Sequence, residues 1–416
     1  MERRRVLRFL LVSLLSLCAE GASIALGESH SCVSMTGGTV KCWGYNYYGQ
    51  LGNGTLGSGT DSPTPVDVSG ITTAASIAMG AFHSCALLTG GTVKCWGRDT
   101  DGQLGNGDET TADSATPVDV TGITTATSLA LGYIHSCALL TDGTVKCWGY
   151  NDYGNLGDGT RTASPTPVDV KDITTATSIA SGRHHACALL TDGTIKCWGH
   201  NADGPIGNGV VSREQTTPVA VTGITTATSI AAGGWHTCAL LTDGTMMCWG
   251  WNNKGQLGYE TPTDDDSRTP GIVSSITTAT ATSIGLGGYH SCVLLTDGTV
   301  KCWGDDYYGQ LGNGDETTAD SATPVDVSGI TTATSIALGH GHACALLTDG
   351  AVMCWGHNFY GQLGNGTKSD PMINNAGEDT PVFALRIELR RPCTCCESEM
   401  KSLGFSVGAE ECHVEL

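Results

Sequence analysis

Short apolar segments alternate with turn-forming residues along almost the whole chain, and the same pattern returns about every fifty residues. One copy, at 135–149, reads His-Ser-Cys-Ala-Leu-Leu-Thr-Asp-Gly-Thr-Val-Lys-Cys-Trp-Gly. The seven copies begin at His30, His83, His135, His185, His236, His290 and His342. A fixed period of this length indicates a repeat architecture, in which each unit buries its apolar surface against its neighbours.

Each unit predicts four short β-strands. Their sequences are Ser-Ile-Ala-Leu, His-Ser-Cys-Ala-Leu-Leu, Thr-Val-Lys-Cys-Trp and Thr-Pro-Val-Asp-Val, and turn residues bound them. Thr-Asp-Gly, between the second and third strands, is a hairpin signal, and the proline suits an outermost strand, where its missing N–H harms no ladder. No segment has a convincing helical period. Seven four-stranded units predict an all-β fold, a seven-bladed β-propeller.

The two ends of the repeat predict how the ring closes. Residues 22–27 form a Ser-Ile-Ala-Leu-Gly strand with no unit before it, whereas 380–382 start a unit with no copy after it. We therefore expect the N-terminal strand to complete the last blade. The propeller then occupies 22–388, between an N-terminal segment at 1–21 and a C-terminal tail at 389–416.

Two cysteines recur at a constant spacing in every unit. If the Thr-Asp-Gly hairpin has a three-residue loop, Cys137 and Cys147 lie directly opposite one another, at a Cα separation of about 4.5–5.5 Å that a disulfide can bridge. A two-residue loop would shift the register, and buried free thiols are the alternative. The predicted pairs are Cys32–Cys42, Cys85–Cys95, Cys137–Cys147, Cys187–Cys197, Cys238–Cys248, Cys292–Cys302 and Cys344–Cys354.

The first residues have the pattern of a secretory signal peptide. A basic start at 3–5 precedes an apolar run at 9–17, and small residues follow at Ala19 and Gly21. The run is too short to span a bilayer. An uncleaved anchor, which would associate the protein with a membrane, is the alternative. Removal of 1–21 leaves an even number of cysteines, as expected for a secreted or extracytoplasmic protein with disulfides.

Composition and motifs exclude several classes of function. The formal net charge of −20 would repel phosphate backbones, so we expect no nucleic-acid partner. No phosphate loop, zinc helix, nucleophile elbow or isolated Ser/His/Asp set occurs, so we predict no enzyme, no cofactor and no metal. The repeated histidines are interpreted as buried side chains that bond backbone near the blade turn. The repeated tryptophans are interpreted as packing between blades.

Variation between units is concentrated in the two residues before each repeated His and the four after each Trp-Gly. Strand direction alternates, so both sets should share one face, opposite the Thr-Asp-Gly hairpins. Loops on a rigid frame commonly carry function, and Tyr and Trp supply much of the energy at interfaces. The aromatic residues of this face are Tyr45, Tyr47, Tyr48, Phe82, Tyr133, Tyr150, Tyr153, Trp235, Trp251, Tyr289, Tyr307, Tyr308, Phe359 and Tyr360. The acidic residues among them are Asp99, Asp101, Asp152, Asp203, Asp305 and Asp306. We predict a monomer that binds a protein or a glycan through this face.

Two further features lie in the loops. Sequons at Asn53 and Asn365 predict N-glycosylation in a eukaryotic secretory pathway, and ring closure should place them in neighbouring blades. The longer loop at 261–269 contains three adjacent aspartates, 264–266. We interpret this loop as a solvated insertion, because adjacent carboxylates lack the alternating spacing of a calcium loop.

The tail at 389–416 holds an even set of cysteines, Cys393, Cys395, Cys396 and Cys412. Two further disulfides of undetermined pairing are the plain interpretation, and a metal site with His413 is the alternative. The last four residues, 413–416, loosely resemble an endoplasmic-reticulum retrieval tetrapeptide, with Val where an acidic residue is usual.

The repeated Gly-x-x-His-x-x-x-Leu-x-x-x-Gly core, the Trp-Gly and the Gly-Gln-Leu-Gly resemble the regulator of chromosome condensation repeat over roughly 22–388. The resemblance implies a seven-bladed propeller. It does not imply one activity, because family members include a nuclear GTPase exchange factor, a plant ultraviolet-B photoreceptor and a secreted bacterial β-lactamase inhibitor. Exchange on a small GTPase is the alternative function, which the signal segment and cysteine pairs oppose. The photoreceptor signature Gly-Trp-Arg-His-Thr is matched only in part, at 234–237.

Overall fold

The computed structural model describes residues 22–108, 110, 112–259, 266–273, 276, 281–315, 317–369 and 377–387. Over these residues the chain forms seven four-stranded antiparallel sheets, arranged as blades around a central channel. None of them belongs to a helix with the length and apolar character needed to cross a membrane. The predicted signal segment at 1–21 and the cysteine-rich tail at 389–416 lie outside the described residues.

The strands run from the channel outward in sequence order. Blade 1 consists of β1 (Ser23–Leu26), β2 (His30–Ser34), β3 (Val40–Gly44) and β4 (Ser62–Asp67). Blade 2 consists of β5 (Ala74–Met79), β6 (His83–Leu88), β7 (Val93–Gly97) and β8 (Ser114–Asp119). Blade 3 consists of β9 (Ala126–Leu131), β10 (His135–Leu140), β11 (Val145–Gly149) and β12 (Ser164–Asp169). Blade 4 consists of β13 (Ala176–Ser181), β14 (His185–Leu190), β15 (Ile195–His200) and β16 (Glu214–Ala220).

The remaining blades follow the same plan. Blade 5 consists of β17 (Ala227–Ala232), β18 (His236–Leu241), β19 (Met246–Gly250) and β20 (Ser267–Ile272). Blade 6 consists of β21 (Ala281–Leu286), β22 (His290–Leu295), β23 (Val300–Gly304) and β24 (Ser321–Asp326). Blade 7 consists of β25 (Ala333–Leu338), β26 (His342–Leu347), β27 (Ala351–His357) and β28 (Gly377–Arg386).

The prediction of an all-β, seven-bladed propeller is confirmed, but the predicted strand exchange at ring closure is wrong. Strand β1 pairs with β2 in blade 1, where Ser23 lies opposite Ser34, and blade 7 has its own inner strand, β25. The prediction counted each repeat unit from its His, whereas each blade begins at its Ser-Ile-Ala-Leu strand. Counted from that strand, the chain contains seven complete blades. Blades 1 and 7 therefore meet as two complete sheets.

A disulfide joins the second and third strands of every blade. Leu140 N donates to Thr144 O at 2.9 Å, which closes a three-residue hairpin loop and places Cys137 opposite Cys147. Their Cα atoms are 4.1 Å apart. The structure contains all seven predicted pairs as disulfides, and all fourteen cysteines are buried.

The apolar cores lie between adjacent blades, and the repeated tryptophans occupy them. Each repeated Trp is fully buried. Its indole N–H donates to a loop carbonyl of the preceding blade, as Trp148 Nε1 does to Gln103 O at 2.9 Å. At the joint between blades 7 and 1, Trp43 Nε1 donates to Gln362 O at 2.8 Å. The tryptophans thus pack between blades, as predicted.

The repeated histidines are also structural, although their partner is not the one expected. His83 is buried, and its Nε2 lies 2.8 Å from Ser136 Oγ in the next blade. Ser136 Oγ in turn donates to Gln103 O at 3.0 Å. A hydroxyl of the neighbouring blade therefore takes the place of the predicted backbone partner. The reason is that the Ser or Thr after the next His lies between the two blades.

Two of the seven histidine bridges are missing. In the blades that follow His135 and His290, Ala186 and Ala343 stand where the other blades have Ser or Thr. Among the described residues, Nε2 of His135 and of His290 has no hydrogen-bond partner. Burial lowers the pKa of His135 to about 4, so its unpaired ring is neutral near pH 7.

Candidate interaction face around the central channel

The two sets of variable loops lie on one face, as the sequence predicted. Backbone bonds join them directly, since Arg98 N donates to Phe82 O at 2.9 Å and Tyr150 N donates to Ile134 O at 3.0 Å. In each pair the first residue follows Trp-Gly and the second precedes the repeated His. We call this surface the aromatic face.

One side chain in each blade holds the loop that carries the outer tyrosines. In blade 3, Asn151 Oδ1 accepts from Leu156 N at 2.9 Å, and Asn151 Nδ2 donates to Thr162 O at 3.0 Å. The loop between them presents Tyr153. Because Asn151 is buried and bonded at both ends, the tyrosine is carried on a fixed backbone.

Blades 2 and 6 have an aspartate at this position, Asp99 and Asp306. Their Oδ1 atoms accept from Leu104 N and Leu311 N, as Asn does. Their Oδ2 atoms are buried and have no partner among the described residues. Burial raises the pKa of Asp99 to about 6 and that of Asp306 to about 7. The assignment of these two aspartates to the exposed surface of the face is wrong, because they fill the internal position that Asn fills elsewhere.

Replacement of Asp306 by Asn is expected to stabilise the protein increasingly as the pH rises. The folded-state pKa is raised to about 7, so the stability associated with the protonated acid is complete below about pH 4 and is lost as the pH rises through 7. An amide donates at every pH, as Asn46 Nδ2 does to Thr60 Oγ1 at 3.2 Å. We expect a gain of about 1–2 kcal/mol at pH 8 and almost none at pH 4, measured by urea unfolding. The control is Asp101→Asn, and an equal gain at both pH values would contradict the interpretation.

The aromatic residues form an almost continuous band of ring contacts around the channel. Successive centroids lie 4.5–6.2 Å apart, in tilted or edge-to-face arrangements. The band passes through Tyr360, Tyr45, Phe82, Tyr133, His184, Trp235, Trp251, Tyr289 and His340. Such pairs contribute about 0.5–1.5 kcal/mol each beyond area burial, so the rings hold one another in place.

The predicted binding residues differ in exposure. Tyr47 is 46% exposed and Tyr307 is 47% exposed, and each stands edge-to-face on its neighbour, Tyr48 or Tyr308. The other predicted binding residues are half-buried: Tyr48, Tyr150, Tyr153, Trp235, Trp251, Tyr289, Tyr308, Phe359 and Tyr360. Tyr47 and Tyr307 are therefore the most accessible anchors of the set.

Four histidines of the band were missed from the sequence. His184 and His340 precede repeated histidines, whereas His200 and His357 follow Trp-Gly. Each contacts predicted aromatic residues, as His357 does Tyr308 at 4.3 Å between ring centroids. The signal was present, because each occupies a unit position where other blades have Tyr, Phe or Trp.

The charges of the face are mixed. Asp101 and Asp203 are half-buried and Asp152 is exposed, as expected of surface residues. Asp305 is buried and pairs with Lys254 at 3.0 Å. Asp305 is thus an internal ion-pair partner, which corrects its assignment to the binding surface. No group of three or more His, Cys, Asp or Glu within the described ranges could hold a metal ion.

Seven glycines line the channel beneath this face. They are Gly27, Gly80, Gly132, Gly182, Gly233, Gly287 and Gly339. A Cβ atom on Gly132 would lie 2.5 Å from Gly182 O and would also strike the His135 ring. Close approach of neighbouring blades, together with the buried histidine, thus requires glycine here.

The residues after these glycines form the channel rim, namely Glu28, Ala81, Tyr133, Arg183, Gly234, Gly288 and His340. Their backbone amides bond from blade to blade. Ala81 N donates to Tyr133 O at 3.3 Å, and Tyr133 N donates to Arg183 O at 3.2 Å. His340 N donates to Gly27 O at 3.3 Å and closes the circle.

The predicted sequons lie on the loops after β3 and β27. Gly366 N, beside Asn365, donates to Pro63 O of blade 1 at 2.9 Å, so the two sequon blades are neighbours, as expected. Glycosylation itself stays a prediction. Most of the long loop lies outside the described residues, but Asp266 Oδ1 accepts from Asn252 N at 3.3 Å.

The sequence resembles known proteins over most of its length. The chain matches the RCC1-like domain over residues 124–401 and the regulator of chromosome condensation (RCC1) repeat over 37–87 and 90–139. It is 33% identical to ultraviolet-B receptor UVR8 of Arabidopsis thaliana over 353 residues, 84% of this chain and 68% of that protein. It is 32% identical to probable E3 ubiquitin-protein ligase HERC6 of Homo sapiens over 302 residues, 71% of this chain but 24% of that protein.

Solved structures share the architecture. Yeast RCC1 (Prp20), in a crystal structure with Kap60, has a TM-score of 0.73 and 21% identity, covering 88% of this chain and 86% of that chain. Human WBSCR16 has a TM-score of 0.70 and 22% identity, covering 79% and 88%. These two likenesses concern the fold alone. The family-model matches and the identity to UVR8 show that the chain belongs to the regulator of chromosome condensation (RCC1) repeat family.

Proposed function

We propose that this chain is a non-catalytic scaffold of a secreted or extracytoplasmic compartment that binds a protein partner through its aromatic face. The observation that carries the proposal is the band of packed rings with Tyr47 and Tyr307 projecting from it. Large aromatic side chains with restricted freedom are the residues that dominate the energy of protein interfaces. The frame beneath them is stapled by a disulfide in each blade, so little entropy is lost on binding.

The same disulfides support the proposed compartment. Seven disulfides persist in an oxidising environment and not in the cytosol. The signal-like pattern at 1–21 supports this assignment. Guanine-nucleotide exchange, the alternative, requires a partner in the cytosol or nucleus and is disfavoured for that reason.

A protein is favoured over a glycan by the arrangement of the rings. Sugars stack on open aromatic faces, whereas Tyr47 and Tyr307 stand edge-to-face on their neighbours. A relative on this fold, yeast RCC1, has been crystallised with a protein, Kap60.

The test is site-specific photocrosslinking in the extracellular fluid of the source organism. The photoreactive residue replaces Tyr47 or Tyr307, and the matched control replaces Phe383, which is 51% exposed on the outer strand of blade 7. We expect the two face positions to give adducts with the same protein and Phe383 to give none. The double variant Tyr47→Ala, Tyr307→Ala should weaken binding of that protein about thirtyfold or more, as for two interface anchors. Equal adducts at all three positions, or adducts only with glycan, would refute the proposal.

A further inference from the structure

A cavity of about 140 Å³ opens at the centre of the aromatic face, where the channel rim surrounds the mouth of the channel. Its walls are the last side chains of the inner strands, mostly apolar: Leu26, Met79, Leu131, Leu286 and Leu338. Ser181 and Ala232 stand at the same positions in blades 4 and 5, so the wall carries smaller side chains there. A well-formed apolar cavity of about 150 Å³ accommodates a group as large as benzene.

The mouth of this cavity carries two opposite charges, each with one buried atom that makes no hydrogen bond within the described residues. Glu28 Oε2 and Arg183 Nε are buried, and neither has a hydrogen-bond partner among the described residues. Neither side chain takes part in an ion pair within that part of the chain. Buried polar atoms are normally bonded, and an unbonded charged one is costly. A ligand that bonds both atoms would satisfy them.

Neither charged residue is a repeated feature of the blades. The rim position is occupied by a different residue in almost every blade, with Glu28 in blade 1 and Arg183 in blade 4. The guanidinium of Arg183 lies over the rings of Tyr133 at 4.3 Å and Trp235 at 5.4 Å, measured to the centroids. These two rings fix its position at the cavity edge.

The charge of Glu28 acts on two other residues of the rim, Tyr133 and His340. Burial raises the pKa of Tyr133, and the Glu28 carboxylate raises it further through its charge and a side-chain hydrogen bond, while the charge of Arg183 opposes the shift. Burial lowers the pKa of His340, while the same carboxylate opposes that shift and Arg183 adds to it. Gly234 and Gly288 leave the remaining arc of the rim without side chains. The mouth therefore offers an anion and a cation at its edge and an apolar shaft below.

We propose that the channel mouth binds a free α-amino acid with an apolar side chain. Its ammonium group would pair with Glu28, its carboxylate with Arg183, and its side chain would enter the channel beside Ser181 and Ala232. A zwitterion pairs with both charges at once, which a carboxylic acid or an amine alone does not. The site is independent of the macromolecular partner of the aromatic face.

The test is calorimetric titration of the full oxidised protein with L-leucine, L-methionine, glycine, 4-methylpentanoate and 3-methylbutylamine. We expect leucine or methionine to bind. Each of the other three compounds should bind about tenfold more weakly or less, because each lacks the side chain, the ammonium or the carboxylate. Absence of heat from both leucine and methionine at about 10 mM would overturn the proposal.

Variants locate the site. Glu28→Gln and Arg183→Met should each weaken binding about tenfold or more, as for loss of a charge-assisted hydrogen bond. Ser181→Leu should abolish it by filling the shaft, and it is expected to fold, since Leu131 stands at the same position in blade 3. The matched control is Arg98→Met, because Arg98 lies over Tyr48 at 5.5 Å, outside the rim. Wild-type binding by Glu28→Gln and Ser181→Leu would equally overturn the proposal.

Discussion

Reduction of the seven disulfides is expected to unfold the propeller at temperatures where the oxidised protein is fully folded. Each bond joins cysteines ten positions apart, for which the chain-entropy model gives about 3 kcal/mol. At half that value, seven bonds amount to about 10 kcal/mol, comparable with the whole free energy of unfolding of an ordinary domain. The measurement is thermal unfolding followed by circular dichroism, with and without reductant, with free thiols counted by mass.

A variant that lacks the disulfide of one blade measures how much a single bond contributes to stability. Replacement of both Cys137 and Cys147 by Ser should cost no more than about 3 kcal/mol and leave the other six blades stapled. A fully reduced protein that melts within a few degrees of the oxidised one would show that the bonds stabilise little. The proposed extracytoplasmic location would then lose its main support.

Gly132→Ala is expected to destabilise the protein strongly, because the added methyl group would clash with backbone of the next blade. The new Cβ would lie 2.5 Å from Gly182 O of the next blade and would also strike the buried His135 ring. Neither neighbour can move without displacing a blade, so we expect a loss of about 3 kcal/mol or more in the free energy of unfolding. Urea unfolding of the oxidised protein measures it.

Gly90→Ala is the matched control for this substitution. Gly90 lies in the hairpin of blade 2, and a Cβ placed there meets nothing within 4 Å. We expect its stability to stay within about 0.5 kcal/mol of the parent, as for ordinary surface changes. Similar losses in both variants would mean that the crowding at the channel is not what makes glycine necessary.

Local patterns in the sequence were sufficient to predict the strands of a blade but not the way in which the ring closes. The position of Cys137 opposite Cys147 follows from the length of one hairpin, and the four strands follow from turn residues and β-branched segments. Ring closure depends on where a repeat unit begins, and a periodic sequence does not mark its own starting point. Counting from His30 instead of Ser23 produced the incorrect strand exchange.

The candidate site was also predicted only in part from the sequence. Tyr47 and Tyr307 project from the face as expected, because their loop positions follow from strand alternation. Asp306 was misassigned, although its alignment with Asn151 in the repeat indicates an internal role. Glu28 and Arg183 were not found at all. These residues belong to blades 1 and 4 and meet at the channel only because the ring closes, which no local sequence pattern predicts.

The joint between blades 7 and 1 has a consequence for how such a chain can change in evolution. Trp43 bonds Gln362 and Ser31 bonds His342 across it, as the equivalent residues do at joints that the chain crosses. Any joint could therefore serve as the opening of the ring, and a duplicated gene segment of one unit would add or replace a whole blade with every strand pairing intact. Residues 102–128 and 309–335 differ only at Thr121 and Ser328, as expected of recent copying of this kind.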